Sequence, residues 1–342
     1  MALWRTFWTR GIVAVVPACV LLSSPLMAAD DHPVLSLPIV CEPGKTCFIQ
    51  SYVDHDPGAG VTDFACGSAT YDGHKGTDFR ILSAAAAAEG FAVIASADGI
   101  VKGYRDGMED YLIPDNEHAR VANRECGNGV VLDHGNGWET QYCHMKQGSV
   151  RVSNGQAIKR GDRLGDVGYS GLAEFAHVHF EIRHGSDVID PFTGKAKNAV
   201  CENGAAPSAG FWTADAAKAF PVTAGEIIQA FFTTRIPTRD EIEVDDIALS
   251  PVAGIPVLYF VSRTTNTQKG DVVRIAMTGP GGFKYESAND PLPVNRPLHL
   301  AFGIAKTSKG SPVPTGLYTG KAELVRGGKV ISARAATFEI KP

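Results

Sequence analysis

Short stretches in which apolar and polar residues alternate run through most of this chain, and the alternation has the period of strands. "FAVIASADGIVKGYR" (91–105) reads as two strands broken at Asp98-Gly99. "GVVLDHGNGWETQYCHM" (129–145) reads as a hairpin turning at His134–Gly137, since a glycine-rich turn between two apolar runs is the usual hairpin signal. "SVRVSNGQAIKRGDRLGDVGYSG" (149–171) gives further short strands punctuated by Gly155, Gly161 and Gly165. Strands this short, with turns this frequent, predict a small antiparallel sheet or barrel-like domain. The run Ala84–Ala88 is a short helix or a filler loop.

Beyond residue 205 the pattern is also one of strands. "EIIQAFFTTRIP", "PVLYFVSRT", "GDVVRIAMTGPGGFKYES", "PLHLAFGIA" and "GLYTGKAELVRGGKVISARAATFEI" cluster apolar residues between Gly/Pro turns. Five or more such runs predict an immunoglobulin-like or fibronectin-like β-sandwich. The fold class expected is mainly β, in two domains. A signal segment occupies 1–29, a cysteine-containing first domain 30–204, a linker of small residues 205–212, and the sandwich 213–342.

The amino terminus carries two arginines and no acids before an apolar run from Gly11 to Leu22, then Ser23-Ser24-Pro25 and the small pair Ala28-Ala29. That is the layout of a secretory signal, and the run is short for a membrane span of ~20 residues. Export to the periplasm or the outside of a bacterial envelope is expected, with no membrane contact after cleavage. Six cysteines then remain, at 41, 47, 66, 126, 143 and 201. An even set in an oxidising compartment predicts up to three disulfides, all in the first domain. Cys126 and Cys143 flank the hairpin and make the best single pair.

Charge divides the chain at the same place. Residues 30–204 hold 15 basic against 25 acidic side chains, and 205–342 hold 15 against 12. The slight positive charge of the second half would suit anionic wall polymers as readily as a spacer role. No nucleic-acid-binding motif is present.

The chemistry concentrates in histidines, nine of ten of which precede residue 205. His177 and His179 sit two apart in "AHVHFEIR", a β-branched and aromatic stretch that reads as a strand, so they project together. His74 and Asp78 flank Gly76 in "GHKGTDF", where glycine disfavours a helix and leaves space. Two imidazoles and a carboxylate with room beside them form the ligand set of a catalytic zinc. On the hairpin, Tyr142 and His144 are expected to share a face, with Cys143 pointing to the other and stapled behind the sheet. His134 reads as structural, and His55, His118 and His184 as solvated.

The ordered blocks "GHKGTD", "ADGIVKGY", "GNGVVLDHGNGWETQYCHM", "GQAIKRGDRLGDVGYSG" and "HVHFEIR" resemble the lysostaphin/LytM-type zinc metalloendopeptidases, over His74 to Pro191, about a third of the chain. The resemblance implies one Zn²⁺ per chain held by His74, Asp78 and His179. It implies that His144 and His177 are catalytic histidines beside the metal, and that the partner is peptidoglycan, cut in its stem peptides or cross-links. Where the family reads T-G-P-H-L-H, this chain has Glu174-Phe175-Ala176-His177-Val178-His179, and Asp106–Glu125 looks inserted. Both departures lie where substrate should run, so they bear on specificity more than on activity.

Zinc on two neutral imidazoles and one carboxylate keeps a positive charge and can bring a water to pKa ~7. His177 is then the group that takes the proton and His144 the hydrogen-bond donor to the oxyanion, with the roles interchangeable at this level. Two other readings stand beside this one: a catalytically silent wall-binding or amidase-activating protein, and a secreted protease of other proteins.

Overall fold

The computed structural model of the protein describes residues 1–2, 32–201, 210–219, 225–245, 247, 253–307 and 311–342. The expected signal at 1–29 lies almost entirely outside the described residues, as do 205–209 of the expected linker. The described elements from His32 onward belong to one compact unit.

Its first part is built on ten strands, each ended by the turn residues that punctuate the sequence. They are β1 (Cys47–Ser51), β2 (Thr77–Ile81), β3 (Ala92–Ile94), β4 (Gly99–Arg105), β5 (Asn128–Gly135), β6 (Trp138–Met145), β7 (Ala157–Ile158), β8 (Arg163–Asp166), β9 (His177–His184) and β10 (Asp187–Ile189). Eight form one antiparallel sheet in the order β1-β2-β9-β6-β5-β4-β7, with β10 on β9, while β3 and β8 pair separately. The alanine run is a helix, α1 (Ala84–Glu89), started by Ser83, whose hydroxyl accepts from the Ala86 N–H. Phe79, Leu132, Tyr142, Val178 and Phe180 fill the core on one side of the sheet, each essentially inaccessible. Fully burying a side chain of this size contributes about 1.5–3 kcal/mol, so these positions decide which way each strand faces.

Three disulfides tie this part together: Cys41–Cys47, Cys66–Cys201 and Cys126–Cys143. The last is the pair expected from the hairpin. The end of the expected linker is not a free hinge, because Phe211 and Trp212 are buried in the first core, together with Ala216 of α2 (Ala214–Ala219). Apolar aromatic residues just past a small-residue stretch are better placed in a core than in water.

Among the described residues the second part has seven strands. β11 (Glu226–Thr233), β12 (Val257–Thr267) and β15 (Arg296–Lys306) make a three-stranded sheet, and β13 (Val272–Gly279), β14 (Phe283–Ala288), β16 (Gly316–Arg326) and β17 (Lys329–Ile340) a four-stranded one. Phe232, Phe260, Ile275, Met277, Tyr318 and Leu324 from both sheets share one apolar core, which makes the pair of sheets a β-sandwich as expected. A short helix, α3 (Arg239–Val244), opens with a capping box between Thr238 and Glu241.

Sandwich and first part meet across a buried ionic cluster. Arg80 of β2 donates to Glu243 of α3 at 2.7 Å and to the Gln50 side chain at 2.8 Å. Glu243 also pairs with Arg263 of β12, and Arg263 donates to the Leu82 carbonyl at 2.7 Å. The polar run Ser262–Thr267 is buried along this junction, although such a run would ordinarily face water. Among the described residues no helix is long and apolar enough to cross a membrane.

Glu243 lies between two arginines, and although burial opposes its charge, Arg80 and Arg263 hold its carboxyl below the usual range. Glu243→Gln leaves two buried cations short of a counter-charge and should cost about 3–5 kcal/mol, seen as a lowered melting temperature. The wild-type advantage is complete above the ordinary glutamate pKa of about 4.3 and is lost as pH falls through the depressed folded value. Melting temperatures of wild type and variant should therefore converge in acid.

Candidate metal centre and active site

Strands β2 and β9 pair with Asp78 opposite His179 and Arg80 opposite His177. Opposed residues project to one side and alternate residues share it, so these four groups face away from the core that Phe79, Val178 and Phe180 enter. His74 arrives from the turn before β2. Its Nε2 lies 3.1 Å from Asp78 Oδ1 and 3.1 Å from His179 Nδ1, and the last two atoms are 2.9 Å apart. Tetrahedral zinc with bonds of about 2.0–2.1 Å spaces its donors roughly 3.3 Å apart. The three atoms therefore form a triangle close to the size and chemistry that such an ion needs, and among the described residues this trio is the group found suited to a metal.

Gly76 is what lets the triangle close. A Cβ there would stand 2.5 Å from the Phe180 carbonyl oxygen and 2.7 Å from the His179 ring.

Backbone carbonyls set the ring orientations. His74 Nδ1 donates to the Tyr52 carbonyl at 2.6 Å, His144 Nδ1 to the Ser170 carbonyl at 2.8 Å, and His177 Nδ1 to the Phe175 carbonyl at 2.8 Å. A ring whose Nδ1 carries the hydrogen keeps a bare Nε2 when neutral. For His74 that bare atom is the one in the triangle. For His177 it lies 3.5 Å from Asp78 Oδ1, outside the triangle.

Electrostatics separates His179 from the two histidines beside the triangle. Burial drives the His177 pKa down to about 4, against the pull of Asp78. Burial, with the neighbouring His177 and His179, holds His144 well below its ordinary value. Both are neutral near pH 7. Burial also works against charge on His179, but its hydrogen bonds to Asp78 and Glu181 lift it to about 9. Asp78 is itself held well below the usual carboxylate range, since the neighbouring histidines outweigh the burial that opposes its charge. Positive charge is thus favoured where the three donor atoms converge and disfavoured on the two histidines beside them.

His144 reaches the site by a route that alternation does not give. Tyr142 is opposite Phe180 and Cys143 opposite His179, so Cys143 is on the face of the site and Tyr142 is in the core, its hydroxyl accepting from the Ser96 N–H at 2.8 Å. Regular continuation would bury His144 beside Tyr142. Instead His144 has φ +60°, a left-handed backbone costing about 1–3 kcal/mol for a non-glycine residue. The turn brings its ring centroid to 4.6 Å from that of His177. The expectation that Cys143 is stapled behind the sheet is therefore reversed.

The structure brings His74, Asp78, His144, His177 and His179 together. Two further residues belong beside them. Glu181 Oε2 stands 3.8 Å from His179 Nε2, and Arg80 lies with its guanidinium 4.7 Å from the centre of the Phe175 ring, which stacks on His177. Each sits two positions beyond a ligand candidate on the same strand, so the period-2 argument that linked His177 to His179 reaches them too. His134 is structural as expected, bonding the Asp98 carbonyl and Thr140. His55 is not solvated. It is buried, with Nε2 2.8 Å from Asp190 and Nδ1 3.1 Å from the Ala199 carbonyl, because the segment ending at Cys201 folds back over it. His118 and His184 are partly exposed, His184 stacking on Trp138.

Residues 72–191, which run from just before β2 to just past β10, match Peptidase family M23. The chain is 31% identical to an uncharacterized metalloprotease of Haemophilus influenzae, over 36% of this chain and 21% of that protein. It is 32% identical to the peptidoglycan DD-endopeptidase ShyA of Vibrio cholerae, over 32% and 20%, and 31% identical to the DD-carboxypeptidase/endopeptidase Mpg of Neisseria meningitidis, over 34% and 22%. The chain spans about a fifth of the length of these curated relatives. Among solved structures, the catalytic domain of the M23 protein EnpA from Enterococcus faecalis aligns at 22% identity over 48% of this chain and 98% of that one, with a TM-score of 0.30.

Gly76→Ala forces a Cβ against a carbonyl oxygen and an imidazole that the sheet holds in place. Overpacking of this kind costs about 1–3 kcal/mol. A drop in melting temperature, together with weakened metal binding in a competition assay, is the expected result.

Proposed function

We propose that the protein is an exported zinc metalloendopeptidase that hydrolyses peptide bonds in peptidoglycan stem peptides or cross-links. The observation that carries this reading is the convergence of His74 Nε2, Asp78 Oδ1 and His179 Nδ1 beside two histidines held neutral. The family match and the peptidoglycan endopeptidases among its relatives support the substrate class. Three disulfides support an oxidising compartment, hence export.

His74, Asp78 and His179 would hold one zinc ion. Bound there, zinc supplies Lewis-acid polarisation and a water of pKa near ~7. The chain's own groups do the rest. His177, with a bare Nε2 and a pKa depressed by burial, accepts the proton of the attacking water. Phe175 fixes its ring from one side through stacking and from the other through the carbonyl bonded to Nδ1. His144 carries the same tautomer with a bare Nε2, so it donates to the substrate oxygen only after His177, whose ring centroid is 4.6 Å away, passes it the proton taken from the attacking water. Both imidazoles have Nδ1 engaged by a carbonyl and lie 4.6 Å apart, so either can pass the proton on to the leaving amine.

His179→Ala should lose zinc stoichiometry on dialysis, whereas His177→Ala should keep one zinc per chain and lose about 10²–10⁴ in kcat. A His177 variant that cuts as well as wild type would refute its role as base. Mass spectrometry of sacculi treated with the mature protein should show chelator-sensitive loss of cross-linked dimers. Intact sacculi from zinc-loaded protein would rule out the endopeptidase reading and turn attention to wall binding or to protein substrates.

A further inference from the structure

Asp78 and His177 open into a cavity of about 470 Å³, a size that suits small ligands or a short peptide segment. The first part of the chain and the sandwich build it together. Tyr71, Leu172 and Phe175 line one side, and Pro297 and Leu298 of β15 the other. Hydrogen bonds hold the two sides in place: Gln50 Nε2 donates to the Pro297 carbonyl at 2.9 Å, Asn266 Nδ2 to the Gln50 carbonyl at 2.9 Å, and Asn295 Nδ2 to Ser68 Oγ at 2.8 Å. Arg239 of α3, also in the lining, donates to Glu174 at 2.6 Å. Glu174 and Phe175 belong to the segment that replaces the family's T-G-P, and His118, also in the lining, belongs to the inserted stretch.

Four of the charges in this lining are paired with one another, Arg80 with Glu243 and Arg239 with Glu174, while Asp78 belongs to the metal centre. A charged group pressed against Leu172, Phe175, Pro297 and Leu298 would be desolvated on apolar surface while those four charges are already engaged, which is costly. An aliphatic group would instead bury against Leu172, Phe175, Pro297 and Leu298. We propose that the C-terminal sandwich forms one wall of a substrate subsite, and that this subsite takes an uncharged, aliphatic part of the peptide adjoining the scissile bond. The proposal rests on the peptidase reading above and adds to it a specificity that the M23 segment alone does not contain.

The test uses the full mature chain loaded with zinc. The bond cut in cross-linked muropeptide dimers is identified first, and synthetic peptides are then made with alanine, leucine or glutamate at each position flanking it. Wild type should prefer alanine to glutamate on one flank by roughly 100-fold in kcat/KM. Leu298 is half-buried, so it tolerates change. Leu298→Arg, which places a cation in the wall, should shrink that preference roughly 10-fold, and Leu298→Ala, which widens the wall, should raise leucine relative to alanine. Zinc content and melting temperature should stay at wild-type values in both. Unchanged preferences in both variants would overturn the subsite and leave the peptidase standing. A uniform rise in activity on every peptide would make the sandwich a barrier rather than a subsite, and would overturn it too. A wild type that cuts no dimer removes the peptidase reading, and the subsite falls with it.

Discussion

The pairing of β2 with β9 determines where the chemistry of this protein can occur, and the hydrophobic core determines the pairing. Phe79, Val178 and Phe180 are wholly buried on one face, so their partners in alternation, Asp78, Arg80, His177 and His179, must share the other. A slip of one residue would drive both histidines into the core and expose Val178 and Phe180, which burial forbids. The site is thus assembled by apolar residues that take no part in it. Two groups stand outside this logic: His74 comes from the turn before β2, and His144 departs from alternation by its left-handed backbone beside the Cys126–Cys143 disulfide.

The second constraint runs from the sandwich to the centre through packed groups. Glu243 grips Arg80, Arg80 lies over Phe175, and Phe175 stacks on His177 at a centroid distance of 4.3 Å. A buried ion cluster of this kind adds little net stability compared with apolar packing, but breaking it is expensive. Its effect is to fix geometry. The accessory sandwich is therefore mechanically continuous with an imidazole of the site.

Much of this was legible in the sequence, for identifiable reasons. Strand alternation and glycine turns gave the sheet and the sandwich, and period-2 spacing placed His177 and His179 together. The same spacing would have reached Arg80 and Glu181 had it been carried two residues further. Other features had no local signal. Nothing in "YCHM" announces a left-handed histidine, so alternation put Cys143 on the wrong face. The run "SRTTNT" looks solvated and is buried, because its partner is more than a hundred residues away in sequence. His55 was misread for the same reason: Asp190, which covers it, is 135 residues downstream.

The stretch after Asp106, expected to be an insertion, is closed at its root. Met108 exchanges two hydrogen bonds with the Asn128 side chain, Cys126 is bridged to Cys143, and the Cys126 carbonyl accepts from the His144 N–H at 2.8 Å. Between those ties the loop can lengthen at little entropic cost, about 0.6 kcal/mol per doubling, without tugging on His144. One end of the same stretch is therefore tied to His144 while its middle, with His118, borders the cavity. Change in the middle of this stretch can therefore redraw one border of the cavity while the histidine at its root stays put.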